Sequence, residues 1–530
     1  MPSMTDRIFS IGTQYPKEIA LTLNRKNTTY AQLMAEIETA KTKCLSLGLK
    51  SGDIAALVLP NITENVVLFY ALNALGVRIV MMHPLSSGSL IKDRCGLLGC
   101  KTIFILDILE KRYERKLDDL DPILISSENS TSGFPAFMLR MGRFIKPSPH
   151  RLWDQIGSQD QTEIVTESKD AVILFSSGTS GIQKAIGLSN EAFNALADQM
   201  EDVIEPIRGV DAMFCVLPFF HGFGLGIGMH TVLTLGGRCI LVPRLSRKTI
   251  VKTLLEEKPT YLAAVPYLLK VLMNDQRFTS SDLSFIRQVF VGGETVSLSV
   301  VRDFNSVLAK GGSKAKVQVG YGCTETVTAV TLMDSQDSEK PGIGKPFRGN
   351  TILVLREDGR QASPNEPGEI LISGPILMNG YIHLAEENKR VLIEREGLLY
   401  YRSGDIGHLD EQGILHFHHR KDDLIKVKGY LISPHQITEC LLSVKGLQEA
   451  KVIISDDQLT AILTTKPGHS LKAIKKEAIQ SVKDLDGWCQ PQRFVILKTM
   501  PVNEMRKIDM NALEEGIRTR SLEFLLEWSL

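Results

Sequence analysis

Over roughly the first 400 residues, short apolar runs alternate with stretches of helical spacing. Ile54–Val58, Ala171–Phe175, Cys239–Val242 and Gln288–Val291 have the length expected of buried strands. Strands that alternate with helices predict α/β layers around a largely parallel sheet. After about Gly342 the pattern changes. Asp358-Gly359 comes after the run Thr351–Leu355, and Asp410-Glu411-Gln412-Gly413 separates two further runs. Both are hairpin signals, and they predict an antiparallel, barrel-like section over about 342–419. The last 110 residues read as a small α+β unit. In it Lys451–Ile454 and Leu459–Thr464 flank Asp456-Asp457, and Leu471–Leu485 has helical spacing. The charged stretch His419–Asp423 is the candidate linker. It divides the chain into a large N-terminal domain, 1–419, and a small mobile C-terminal domain, 420–530.

Composition narrows the function classes. At 530 residues the chain exceeds one compact domain, and 43% hydrophobic with 23% charged residues is ordinary for a globular protein. Lys plus Arg and Asp plus Glu number 61 each, and a formal net charge of zero argues against a nucleic-acid binder. The eight cysteines include no C-x-x-C pair, which points to a reducing, cytoplasmic setting without a zinc ribbon or redox motif. The N-terminal stretch has no apolar run of signal-peptide length. Ala212–Leu235 is apolar and about long enough to cross a bilayer. It also carries Pro218, His221, His230 and the alternate glycines Gly222, Gly224, Gly226 and Gly228, and is read as a buried strand–turn–helix. Phe134–Lys146 is basic and amphipathic. Weak contact with an anionic membrane is one reading, and a surface helix packed on its own domain is the favoured one.

Several stretches have the makings of chemistry. The run Ala171–Phe175 leads into Ser176-Ser177-Gly178-Thr179-Ser180-Gly181-Ile182-Gln183-Lys184, and a helical pattern begins at about Asn190. Glycines let such a turn aim its N–H groups at an anion, hydroxyls add donors and Lys184 adds positive charge. The spacing to the lysine is not that of a Walker A loop, and the composition fits a flexible turn equally well. In VGYGCTET, Val319–Thr326, the Tyr321 ring stands between Gly320 and Gly322 and can lie against a flat base. Thr324 can donate to a phosphate, and Glu325 can hold Mg²⁺, which prefers oxygen ligands. A core tyrosine in an ordinary turn is the plainer account. In Tyr401–Gly407, Asp405 comes after a glycine turn and is able to accept both hydroxyls of a ribose; a hairpin turn that uses Asp for its own backbone explains it as well. Arg420, Lys426 and Lys428 flank a mobile-looking stretch that also reads as a solvated face, and Lys507 also reads as an ordinary surface lysine. His221, in Phe219-Phe220-His221-Gly222-Phe223, reads as a base, a pocket wall or a satisfied core residue.

In order and spacing these clusters resemble the adenylate-forming superfamily of acyl-CoA synthetases, coumarate–CoA ligases, beetle luciferases and peptide-synthetase adenylation domains. The likeness runs from about residue 10 to about 513. The family's phosphate loop is roughly Ser/Thr-Ser-Gly-Thr-Ser/Thr-Gly-x-Pro-Lys-Gly. Ser176–Ala185 matches it, with Gln183 in place of Pro and Ala185 in place of the last Gly. By this resemblance Tyr321 stacks on adenine, Thr324 touches phosphate and Glu325 carries Mg²⁺. Gly293 and Glu294, in Gly292-Gly293-Glu294, lie beside the adenine and the acyl pocket. Asp405 and Arg420 reach the ribose, with Gly322 beside the stacked ring. Asp422 falls at the hinge, Lys507 serves adenylation, and Lys426 serves the second half-reaction after the C-terminal domain rotates. The chain departs from the pattern at Arg506, where the family usually has Gly, and at Leu431 and His419, where many CoA ligases have Gln and Gly. The implied activity is ATP-dependent conversion of a fatty or aryl acid to an acyl-AMP and transfer to CoA, with ATP, Mg²⁺ and CoA required. The alternatives are a stand-alone enzyme that loads a carrier-protein thiol in trans and a degenerate nucleotide-binding homologue. The four alternate glycines are expected to leave room in the acyl pocket.

Overall fold

The computed structural model describes residues 2–127 apart from 114, 115 and 118, then 150–158, 168–176, 183–243 and 246–421. From 425 to 529 it describes all but 428, 429, 433, 456, 457, 467, 484, 486–488 and 503–507. The amphipathic segment 134–146 and the Asp456-Asp457 turn therefore lie outside the described residues.

Two mainly parallel sheets build the N-terminal part. The first has nine strands in the order Lys345–Pro346, Thr331–Leu332, Val317–Tyr321, Gln288–Val291, Tyr261–Ala264, Ala212–Cys215, Arg238–Leu241, Ile19–Leu23 and Lys26–Thr29. From Val317–Tyr321 to Ile19–Leu23 every pairing is parallel. The second has eight, in the order Gly380–Tyr381, Ala185–Leu188, Val172–Phe175, Arg78–Met81, Ile54–Val58, Thr102–Leu106, Asp121–Ile125 and Arg151–Leu152. The four apolar runs named from the sequence are all strands here, to within a residue.

The main core lies between these sheets. Helix Thr63–Ala74 has no polar face, and each residue from Asn65 to Asn73 is buried. A helix apolar all round needs cover on every side. It receives it from helices Met4–Gln14 and Tyr30–Ser46 and from strands Ile54–Val58 and Arg78–Met81, within a large cluster that also includes Leu21, Leu174 and Met213. The apolar stretch 212–235 belongs to this interior, as expected. It forms strand Ala212–Cys215, a π-helix Phe223–Thr231 and a helical turn Val232–Thr234. Among the described residues no helix is long and apolar enough to cross a membrane.

The section from Thr351 is antiparallel. Strands Thr351–Leu355, Gly368–Ser373, Leu398–Leu409, Leu392–Arg395 and Leu415–Arg420 form one five-stranded sheet centred on the long Leu398–Leu409. Two sequence expectations change here. Asp405 is not in a hairpin turn but inside that long strand. The strand bulges at this point: Leu371 pairs with Arg402, yet Glu369 pairs with Ile406. Gly404 supplies the positive φ of 72° that the bulge needs, a conformation costly for other residues. His419 and Arg420 are not linker but the end of a strand, paired with Ile406 and Asp405.

The C-terminal part has its own cores. Strands Leu447–Ser455, Gln458–Thr465, Arg493–Leu497 and Phe524–Ser529 form a four-stranded sheet with helices Pro434–Leu442, Leu471–Ser481 and Met510–Thr519. Ile437, Leu463, Ile474 and Phe494 lie in one of these cores, and Ile462, Val495 and Leu513 in the other. Among the described residues no two cysteines form a disulfide.

Candidate active site

The site forms where strand Val317–Tyr321 ends. The chain turns through a short 3₁₀ segment, Thr324–Thr326, and reaches Val327 with φ 59° and ψ −60°, unusual for a β-branched residue. Gly322 makes the turn feasible: a Cβ there would stand 1.8 Å from the Thr328 carbonyl oxygen. Tyr321 and Glu325 leave the turn in different directions, and each meets a distinct set of partners.

Tyr321 meets the antiparallel sheet. Its hydroxyl donates to Oδ2 of Asp405. Burial and the Asp405 charge push the phenol well above its usual range, so it stays a donor. Arg420 Nε lies 3.4 Å from Asp405 Oδ1, as the strand register of the two residues dictates. The Asp405 amide in turn donates to Ser403 Oγ at 3.1 Å. Carboxylate, cation and aromatic ring therefore share one wall.

Glu325 meets the second parallel sheet. It is 8% exposed, and its Oε1 accepts from the Tyr381 hydroxyl at 2.8 Å. Met378 N–H donates to the Glu325 carbonyl at 2.8 Å. Tyr381 pairs with Ile186 in strand register, which brings its ring under the ammonium of Lys184, 4.6 Å from the centroid. Lys184 Nζ also pairs with Glu387, whose carboxyl is held down to about 2 by Arg390 and Lys184. The loop that ends at Lys184 opens from Ser176, whose amide donates to the Lys184 carbonyl at 3.0 Å while its Oγ accepts the Lys184 amide at 3.1 Å. Gln183, where the resembled family has proline, accepts from Arg94 Nη2. Ser177, Gly178, Thr179, Ser180 and Gly181 lie outside the described residues. Beyond Lys184 the chain enters strand Ala185–Leu188 before helix Asn190–Ile204, so the loop joins two antiparallel strands.

Other expected residues border the same turn. Gly292 lies close enough to Gly320 that a Cβ would meet its carbonyl oxygen at 3.1 Å, and Gly293 comes next with φ 83° beside the exposed Glu294. Thr324 is partly buried at the head of the 3₁₀ segment. His221 is also partly buried, its ring 4.7 Å from Phe220, which in turn lies 4.5 Å from His83. The satisfied core histidine of this region is His230, fully buried between Tyr70 and Asn194. The expectation that four glycines leave open room is corrected. A Cβ on Gly222 would stand 1.7 Å from the Val327 carbonyl oxygen, on Gly224 2.2 Å from that of Pro218, and on Gly226 2.9 Å from Leu196. These three permit close packing, and only Gly228 has no near neighbour beyond the Phe223 carbonyl oxygen at 3.6 Å. Lys426 lies on a strand opposite Leu431, with its side chain undescribed, and Asp422, Arg506 and Lys507 lie outside the described residues.

Magnesium fits this chemistry. Among the described residues no group of three His, Cys, Asp or Glu side chains is set to hold a metal. Mg²⁺ does not need one, because it binds through one or two carboxylates and completes its shell with water and phosphate oxygens. A buried carboxylate with one oxygen engaged by Tyr381 is a suitable single anchor.

Sequence reading missed Tyr381, Glu387, Arg390 and Ser403. Only Gly380-Tyr381 carried a signal, an aromatic residue beside a glycine, too common to single out.

Residues 10–382 match the family described as AMP-binding enzyme. A long-chain-fatty-acid–CoA ligase of Bacillus subtilis is 28% identical over 539 residues, covering 97% of this chain and 92% of that one. An anthranilate CoA ligase solved with anthranoyl-AMP superposes with a TM-score of 0.84 at 19% identity over 98% of both chains. An O-succinylbenzoate CoA synthetase of Bacillus subtilis, solved with ATP and magnesium ion, gives 0.77 at 23% identity over 96% of this chain and 98% of that one. These last two likenesses concern the fold. With the matched region covering most of the chain, the protein belongs to the AMP-binding, adenylate-forming enzyme family.

Proposed function

We propose that the protein activates a carboxylic acid with ATP, forming an acyl-adenylate and pyrophosphate, and then transfers the acyl group to the thiol of CoA, with AMP as the leaving group. The observation that carries this reading is the two-sided turn. Tyr321 with Asp405 and Arg420 suits a nucleoside, and Glu325 with Tyr381 and Lys184 suits its phosphates, four residues away along the chain.

The chemistry asks little of general acid–base catalysis. A carboxylic acid with a pKa of about 4–5 is already ionised near neutral pH. The obstacle is an anion attacking a polyanion, so catalysis consists of positioning and charge stabilisation. Lys184 and Lys507 supply positive charge, the loop 176–184 supplies N–H groups, and Thr324 donates to a phosphate oxygen. Mg²⁺ bound through Glu325 would neutralise further phosphate charge. Asp405 and Arg420 hold the ribose, with Tyr321, Gly293 and Glu294 around the adenine, and His221 borders the acyl group. For the second step the domain 420–530 turns about Asp422, withdrawing Lys507 and bringing up the face of Lys426. Such a hinged closure suits two steps that share one site.

The acid is taken to be fatty or aryl. A relative named for a long-chain fatty acid supports the aliphatic part of that range. The protein would work in the cytoplasm, where ATP and CoA are supplied. The test is pyrophosphate release over aliphatic and aromatic acids of graded length, with and without CoA. An acid-dependent release, then CoA-dependent AMP formation, is expected. ATP binding with no release for any acid would leave the protein a nucleotide binder, and AMP formation only with a phosphopantetheinylated carrier protein would replace CoA as acceptor.

A further inference from the structure

Lys184 is not displayed on a free loop end. Its ammonium sits between the Tyr381 ring, 4.6 Å from the centroid, and the carboxylate of Glu387, 203 residues away in sequence. Glu387 is itself fixed. Arg390 donates to both its oxygens, Nη2 to Oε1 at 2.7 Å and Nε to Oε2 at 2.9 Å. Its short helix, Ala385–Val391, is tied back to Tyr381 by Asn388, which accepts the Tyr381 amide at 2.7 Å and donates to its carbonyl at 2.8 Å. The neighbouring Glu386 is highly exposed and pairs outward with Lys389. The lysine therefore rests on a braced platform whose other end, the Tyr381 hydroxyl, binds Glu325.

We propose that Glu387 is a positioning residue that orients the Lys184 ammonium toward the phosphates of a bound nucleotide, on the side where Glu325 stands. A lysine ammonium has three donors and no acceptor. One donor goes to Glu387, the ring supports one face, and donors are left for a phosphate. Arg390 balances the Glu387 charge independently, so the carboxylate can hold the lysine without opposing an incoming anion outright. A solvated lysine would have to give up rotamer freedom on binding, and this one has already lost it.

The inference rests on the nucleotide-binding reading, and binding rather than turnover separates the two. Mg-ATP binding to the full chain, without acid, is measured by titration calorimetry for the wild type, Glu387→Gln, Lys184→Ala and the double variant. Glu387→Gln keeps the side-chain shape, and thermal melting confirms that it folds. Glu387→Gln is expected to weaken binding about tenfold, the scale of one charge-assisted contact. In the Lys184→Ala background it should add nothing, because its effect passes through the lysine. Wild-type affinity in Glu387→Gln, tighter binding, or equal losses in both backgrounds would each overturn the positioning role while leaving the functional reading intact. No binding by the wild type would overturn both.

Discussion

The Tyr321 hydroxyl donates to Oδ2 of Asp405, joining the end of a parallel strand to a bulge in an antiparallel sheet 84 residues later. With Arg420 3.4 Å from the other oxygen, the carboxylate is held from two sides and aimed rather than merely buried. Asp405→Asn keeps the shape and removes the charge. It is expected to weaken ATP binding about tenfold, the scale of losing one charge-assisted acceptor. Titration calorimetry checks this, and unchanged affinity would remove Asp405 from the nucleotide site.

The two closest glycine approaches predict where stability is most sensitive. Gly222→Ala and Gly322→Ala would each drive a Cβ to within 1.8 Å of a backbone carbonyl oxygen. Each is expected to destabilise the fold by roughly 2–4 kcal/mol, in the range of severe overpacking. Gly228→Ala, which meets nothing nearer than 3.6 Å, should lie within about 1 kcal/mol of wild type. Denaturant unfolding of the three variants tests the contrast, and a costly Gly228→Ala would point to hidden crowding in the π-helix.

Under the proposed mechanism the two C-terminal lysines act at different times. Lys507→Ala is expected to slow pyrophosphate exchange by about 10²–10³-fold, the usual scale for one lost transition-state donor. Transfer from a pre-made acyl-adenylate to CoA should survive. Asp422→Pro, which stiffens the hinge, should show the opposite split. Exchange at the normal rate in Lys507→Ala would show that this lysine is not the adenylation residue.

Burial drives His230 down to about 3, with Arg7 contributing less. Above about pH 6.5 the imidazole is neutral in both folded and unfolded chains. Below that the unfolded chain takes up a proton that the folded chain refuses, so stability falls as pH falls, by about 1.4 kcal/mol per unit until near pH 3. His230→Gln removes this titration. Urea unfolding at pH 7 and pH 5 should show the wild type losing about 2 kcal/mol more than the variant. Parallel losses would mean that His230 becomes protonated without unfolding.

Local patterning was enough for the strands Ile54–Val58 and Gln288–Val291, because an apolar run between turn residues reports burial without knowledge of what covers it. It was also enough to mark the 319–326 turn and the run ending at Lys184 as chemically loaded, since glycine spacing and side-chain type are local properties. Strand Ala185–Leu188 was not legible: four residues beside a glycine-rich loop carry too little pattern to separate strand from loop. Gly404 announced a special backbone, but a turn and a bulge both use positive φ, and only pairing with Gly368–Ser373 decides between them. The alternate glycines showed where side chains are absent. Whether the missing Cβ leaves a cavity or admits a neighbour is decided by the fold: Gly222 admits the Val327 backbone from about a hundred residues on, and Gly226 the Leu196 side chain. Lys184 over Tyr381 and against Glu387 is the extreme case, fixed by the register of Ala185–Leu188 on Gly380–Tyr381. Residue chemistry is written along the chain, whereas the meeting of two charges depends on distances that only the folded sheets define.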